Sequence, residues 1–329
     1  MDSIVRFYRK INSDFLNPKW KDGFEIHYKV VNAGGEQRFF KFADYTPDIH
    51  ERIKTMLENA DSQEFFIHET DLIKFYKNFY IADLQTSLDR RGYSPALMKQ
   101  AYTVACRIMK EYFDNIGSPR VLRTLTSVVD IIAQCISQWR PGIADIYAMV
   151  DKSAHHHTHC VNVGLYAMTL AVRFKMQDTA VKELGLGGML IDIGNKELDA
   201  DLFQKDELDP DERKLIRKHP SAGRKKLNDM KCFSPVILSM VGEHHEKFSG
   251  EGYPHGLAGE KISLYARVIA IMDVFDALTC SRSYREALPP NKALSMMKSE
   301  MPGHFDERLV LNFIKIIAAE KNDSAVKTT

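Results

Sequence analysis

The feature that most constrains this chain is a pair of apolar runs interrupted by carboxylates. Leu184-Gly185-Leu186-Gly187-Gly188-Met189-Leu190-Ile191-Asp192-Ile193-Gly194 wants burial along nearly its whole length, yet carries Asp192. Arg267-Val268-Ile269-Ala270-Ile271-Met272-Asp273-Val274-Phe275-Asp276-Ala277-Leu278 reads as an apolar helix with Asp273 embedded in it and Asp276 three residues on, near the same face. A buried carboxylate is expensive unless it is paired or bound to a metal. A fold that buries both runs must therefore bring partners to them, and the histidines are the partners on offer. His155-His156-His157-Thr158-His159 holds two imidazoles four apart, which share one face of a helix and can grip one metal. Lys218-His219-Pro220 adds a third position. Glu243-His244-His245-Glu246-Lys247-Phe248-Ser249-Gly250-Glu251-Gly252-Tyr253-Pro254 adds an adjacent pair. Neighbouring side chains on a helix point about 100° apart, so His244 and His245 reach one ion only if it sits at the helix end. Gly250 and Gly252 then let the backbone turn close to a ligand, with Tyr253 offering a phenol and Pro254 stiffening the exit.

Asp and His ligands on separate helices are what a bundle-borne metal centre needs. Mixed nitrogen and carboxylate donors suit iron, manganese, zinc or nickel rather than calcium or magnesium. Such ions activate water for attack on phosphorus, and a bridging carboxylate can hold two of them about 3.5–4 Å apart. Arg282 and Arg285, three apart just beyond the Asp273 helix, have the forked donors that match phosphate oxygens. Other classes find no support. There is no glycine-rich phosphate loop and no Gly-x-Ser-x-Gly nucleophile turn. A net charge of +1 gives no global field toward a nucleic acid polymer or a membrane. No apolar run approaches the roughly 20 residues of a membrane span, and the first residues lack the apolar core of a signal peptide. The five cysteines are scattered without a Cys-x-x-Cys pair, which predicts buried thiols and a cytoplasmic setting.

The chain reads as α+β overall: a small mixed domain over residues 1–90, a helical linker and start of a bundle over 91–150, and an all-helical metal-binding domain over 151–329. In the first part, 24–31 and 37–42 have strand composition around an Asn32-Ala33-Gly34-Gly35 turn. Thr46-Pro47 opens a helix to Asn59, 64–68 is a third strand, and 71–88 a second helix. No catalytic constellation occurs there; His27, His50 and His68 are too dispersed for a metal site, and the expected role is regulation, partner contact or homodimerisation. Asp89-Arg90-Arg91-Gly92-Tyr93-Ser94-Pro95 is the linker, with Ser94 capping the next helix. Asn115-Ile116-Gly117 stops that helix, Ser118-Pro119 starts another to about Trp139, and Arg140-Pro141-Gly142 breaks it.

With these residues in view, 150–320 resembles the HD-GYP domain, a branch of the HD-type metal-dependent phosphohydrolases. His159-Cys160-Val161-Asn162-Val163 is similar to its opening histidine motif, Lys218-His219-Pro220 to its middle histidine, and His244-His245-Glu246 through Gly252-Tyr253-Pro254 to the loop that names it. Glu260 to Arg267, Asp273 to Thr279, Arg282 to Arg285 and Phe305-Asp306 continue the order. The resemblance implies a helical bundle holding two metals, with one or three as the alternatives, iron or manganese foremost and zinc or nickel after them. It implies hydrolysis of a cyclic dinucleotide, cyclic di-GMP first, to the linear dinucleotide or GMP. Carried over by position, His159, Asp192, His219, His244, His245 and Asp273 are metal ligands, Asp192 bridges, and Tyr253, Arg282 and Arg285 face the dinucleotide. Two departures stand out. The His-Asp pair is Ile191-Asp192, and the lysine expected at 195 is Asn195, with Lys196 one place late. The half built on His159 and Asp273 thus lacks one nitrogen, and His155, where some members place a glutamate, is the candidate to restore it. These departures give the alternative reading, a weak or inactive relative that binds metal and nucleotide and acts in signalling.

Overall fold

The structure, a computed structural model, describes residues 8–11, 23–58, 64–68, 71, 74, 81–114, 119–153, 155–198, 202, 205, 207–281 and 285–326. They fall in two compact units, Met1–Gly92 with Asp114–Val128, and Tyr93–Phe113 with Val129–Thr329.

The first unit is built on a four-stranded antiparallel sheet of order β1-β4-β2-β3, with β1 Tyr8–Ile11, β2 Glu25–Val31, β3 Gln37–Asp44 and β4 Phe65–His68. The β2–β3 hairpin turns where the sequence puts Asn-Ala-Gly-Gly. The Asn32 Oδ1 accepts from the Gly34 and Glu36 amides at 3.0 and 2.9 Å, and Gly35 takes a φ of +79°, a region open to glycine. Ile26 and Ile67 face each other in register and are both fully buried, as are Phe65 and Ile53, the latter from helix α1, His50–Glu58. The segment expected to start that helix, 47–49, is a 3-10 turn. Helix α2, Ala82–Arg91, is the described end of the helix expected over 71–88; positions 72–73 and 75–80 lie outside the described residues. β1 was not expected: four residues with two cations, Tyr-Arg-Lys-Ile, carry no alternation to betray a strand.

Two helices lead in, α3 Pro95–Asp114 and α4 Thr124–Trp139. Ser94 caps α3 as expected, its Oγ accepting from the Leu97 amide at 3.2 Å. The expected stop at 115–117 lies outside the described residues. The bundle continues with α5 Ile143–Met149, α6 His156–Arg173, α7 Asp178–Leu190, α8 Pro210–Ile216, α9 His219–Asp229, α10 Pro235–Glu243, α11 Leu264–Thr279, α12 Pro290–Ser299 and α13 Glu307–Val326. Helix α6 is buried from Thr158 to Ala171, so it is a central rod rather than an amphipathic surface helix, and α5, α7 and α11 pack around it. The glycines of α7 permit this: a Cβ at Gly188 would stand 2.7 Å from the Gly164 Cα, so the two helices cross with backbones touching. The functional side chains cluster where these helices end or pass, at the start of α6, the end of α7, the start of α9, the end of α10 and the middle of α11. Among the described residues no helix is long and apolar enough to cross a membrane.

Candidate metal centre

Asp192 is the hinge of the site. It follows the last turn of α7 and opens a 3-10 turn, Ile193–Glu197. Gly194 brings that turn against α9: a Cβ there would lie 2.0 Å from the His219 carbonyl oxygen. The two oxygens of Asp192 then serve different neighbours. Oδ1 is 3.2 Å from His219 Nε2, and Oδ2 is 3.8 Å from His159 Nε2. Burial alone would raise this carboxyl; the histidines around it, His219 and His159 foremost, hold it at about 2, so it is an anion.

On the Oδ1 side, Asp192, His219, His244 and His245 each offer one ligand atom, all within 4.8 Å of one another. His244 caps the C-terminus of α10 and His245 lies just beyond it, which is the helix-end placement an adjacent pair needs. His219 Nδ1 lies 2.8 Å from the Ile216 carbonyl oxygen and His244 Nδ1 3.0 Å from that of Val241. A carbonyl only accepts, so both Nδ1 atoms carry hydrogen, and the two Nε2 atoms face each other 3.1 Å apart. Burial, then the nearby His219, hold His244 down at about 4, and burial holds His245 well below the usual histidine range. Neutral His244 thus aims a bare lone pair at its neighbour's ring nitrogen. Two inward-aimed nitrogens beside a buried carboxylate are satisfied by a cation between them, and three imidazoles with one carboxylate fit a divalent transition ion.

On the Oδ2 side, His159 Nε2 is 3.0 Å from Asp273 Oδ1 and its Nδ1 is 2.8 Å from Asp276 Oδ2. Burial would lower this imidazole, but the hydrogen bonds to Asp273 and Asp276 prevail and raise it to about 10, so a metal on this side would have to displace its Nε2 proton. Asp276 is itself fixed by Asn162 Nδ2 at 3.0 Å and by the Cys280 thiol, and Asn162 Oδ1 accepts from the Tyr102 hydroxyl at 2.9 Å. A carboxylate holding Nδ1–H while Nε2 faces the site is the arrangement that orients a ligating histidine. This half offers His159, Asp273 and the second oxygen of Asp192. Ile191 is fully buried and contributes nothing to it.

The two halves open on one cavity of about 420 Å³, lined among others by His156, Asn195, Tyr253 and His304. Tyr253 stacks on His245, ring centroids 4.8 Å apart, and its phenol is raised by burial and by Asp273, so it stays protonated. Buried Glu246 shapes this loop by accepting from the His255 and Leu257 amides at 2.7 and 3.0 Å. Behind it, Arg267 donates to Asp306 at 2.7 Å, next to the 303–304 segment that takes the Phe248 and Ser249 amides.

Six of the sequence-selected ligands, His159, Asp192, His219, His244, His245 and Asp273, therefore converge. His155 does not. The helix begins at His156, so His155 is the non-helical residue before it, exposed and stacked on His157 at 5.3 Å; the four-residue spacing to His159 does not put it on a helix face. His156 lines the cavity instead and acts on Asp192. Arg285 donates to the Ala277 and Leu278 carbonyls at the end of α11 rather than standing free for phosphate. Arg282 lies outside the described residues. Asn195, singled out in the sequence only as a departure, lines the cavity, whereas His304 and the orienting role of Asp276 carry no sequence signal.

The profile of a family described as the HD domain matches residues 143–309. The cyclic di-GMP phosphodiesterase PA4108 of Pseudomonas aeruginosa is 32% identical over 193 residues, 58% of this chain and 46% of that protein. The 3'3'-cGAMP-specific phosphodiesterase 2 of Vibrio cholerae is 30% identical over 275 residues, 82% of this chain and 49% of that one. The chain thus spans about half the length of these curated relatives. The solved structure of Bd1817, a HDG"Y"P protein from Bdellovibrio bacteriovorus, superposes with a TM-score of 0.62 at 17% identity, covering 94% of this chain and 99% of that one, which establishes the fold. The chain belongs to the HD domain family, in the HD-GYP branch whose motif order it carries.

Proposed function

We propose that this chain is a metal-dependent phosphodiesterase that opens a cyclic dinucleotide, cyclic di-GMP foremost, to the linear dinucleotide or GMP. The observation that carries the reading is the division of Asp192: one carboxylate oxygen turned to the His219 side, the other to His159, both buried. His219, His244, His245 and Asp192 would hold one ion, and His159 and Asp273 with Asp192 would hold a second more weakly. Iron or manganese is the expected metal, zinc or nickel the alternatives. Such ions supply Lewis acidity at phosphorus and lower the pKa of water bound to them. The protein's own contribution is to hold ligands and substrate in register. Asp276 keeps His159 turned inward, Glu246 and the Tyr253 stack shape the wall, and the neutral Tyr253 hydroxyl donates to phosphate or sugar oxygens. The named activities of PA4108 and of the Vibrio cholerae relative support the substrate class.

A second reading rests on Ile191 and Asn195: a relative that binds metal and nucleotide without turnover and signals through residues 1–90, as an interaction or dimerisation module. Exposed Val30, Val31 and Phe40 on its hairpin support that role. One assay separates the two. The full chain, purified without oxygen and loaded with Fe(II) or Mn(II), is given cyclic di-GMP and the products are separated by chromatography. Linear dinucleotide or GMP, lost in His245→Ala, supports the enzyme; intact ligand with metal retained supports the second reading.

A further inference from the structure

An anionic phosphodiester entering this cavity needs a cation that can move to meet it, and the basic residues nearest the expected place are otherwise engaged. Position 195 is the neutral Asn195, 6% exposed and lining the cavity, with its Oδ1 lacking a hydrogen-bond partner among the described residues. A phosphate oxygen only accepts, so this side chain can offer its amide hydrogens but no charge. Lys196 donates its ammonium to the Phe113 carbonyl, and Arg285 caps α11. Arg217 differs. It follows the cavity-lining Ile216 and precedes His219 by two residues. Its guanidinium carbon stands 5.4 Å from the centroid of Tyr253, the ring that stacks on His245. It is exposed and makes no ion pair among the described residues.

We infer that Arg217 is the residue that positions the substrate phosphate, taking over the charge that position 195 does not carry; this rests on the phosphodiesterase reading. Arginine suits the place because a planar guanidinium can lie on an aromatic face and still present N–H edges to a phosphate. The Tyr253 ring fixes where that fork sits, and His245 beneath it ties the fork to the metal-binding side of the cavity. Asn195, which lines the same cavity, adds its amide hydrogens.

The test uses the Mn(II)-loaded full chain and two probes, cyclic di-GMP for binding by calorimetry and bis(p-nitrophenyl) phosphate for kinetics. Arg217→Ala raises KM and weakens binding about ten- to a hundredfold, the range for losing one charge-assisted hydrogen bond, while kcat changes less. Metal content and melting temperature stay at the wild-type values. Arg217→Lys recovers part of the loss. In the decisive variant, Arg217→Ala with Asn195→Lys, the restored lysine recovers KM. An unchanged KM in Arg217→Ala overturns the inference, and so does a parallel loss of bound metal, which marks a structural role. Wild type that turns over bis(p-nitrophenyl) phosphate yet ignores cyclic di-GMP overturns only the dinucleotide reading. Wild type inert toward both overturns both.

Discussion

Replacing Ile191 with histidine asks the protein to accept the nitrogen its second half-site lacks. Ile191 is fully buried, and a side chain of that size contributes about 2–3 kcal/mol by its burial. An imidazole in its place keeps much of the volume but brings two polar nitrogens, and each one left unsatisfied costs about 1–3 kcal/mol. Metal-free Ile191→His is therefore less stable by about 3–5 kcal/mol, because part of the apolar contribution survives in the ring. In a unit of this size that lowers the melting temperature by about 6–20 °C. An ion at the His159–Asp273 half reverses part of this, since a ligand at a hundred times its Kd stabilises by about 2.7 kcal/mol. The assay is thermal unfolding of wild type and variant with and without excess Mn(II), together with metal content by mass spectrometry. The variant melts lower without metal, gains more from metal than wild type does, and keeps one more ion per chain after dialysis, because the second ion that wild type holds weakly is retained. An equal metal-induced gain with an unchanged ion count would refute the reasoning, because it would mean that position 191 does not face the centre.

Other perturbations test the supporting structure. Asp276→Asn removes the carboxylate that fixes the His159 ring, so Mn(II) affinity at that half falls about 10- to 100-fold in a metal titration while the His219–His244 half keeps its ion. Arg267→Met leaves the Asp306 carboxylate, 2% exposed, with Arg308 alone as its cation among the described residues. Losing one partner of a buried pair costs about 3–5 kcal/mol when nothing remains, so about 2–3 kcal/mol is expected here in urea unfolding. The pH dependence has a definite sign. Burial would raise Asp306, but its bonds to Arg308 and Arg267 lower it. Its contribution is thus complete above the ordinary carboxylate range and is lost as pH falls through the depressed value. In Arg267→Met that value rises, and the acid limb of the stability curve moves to higher pH.

Much of the centre was legible because burial and polarity conflict so openly in the sequence. Asp192 and Asp273 interrupt apolar runs, and the structure resolves the conflict by placing histidines against both. The adjacent pair His244-His245 was legible for the same kind of reason, since the glycines after it end the helix where both rings can turn inward. What escaped depends on single-residue phase and on backbone partners. His155 and His156 differ by one position, and only the observed start of α6 decides which lines the cavity. The carbonyls of Ile216 and Val241, which fix the tautomers of His219 and His244, carry no side-chain signature at all. Lys196 stands one place beyond the expected lysine, and its bond to the Phe113 carbonyl, which no sequence pattern announces, engages it elsewhere. In the first unit, β1 is stabilised by pairing with β4 rather than by any pattern of its own, and pairing is a long-range fact.

The most direct measurement is anomalous scattering from crystals of the full chain grown with Mn(II). The account predicts a strong peak among Asp192, His219, His244 and His245, and a weaker one beside His159 and Asp273 bridged to the first by Asp192. No peak within the four-residue set, with an ordered water between His219 and His244 in its place, would contradict it.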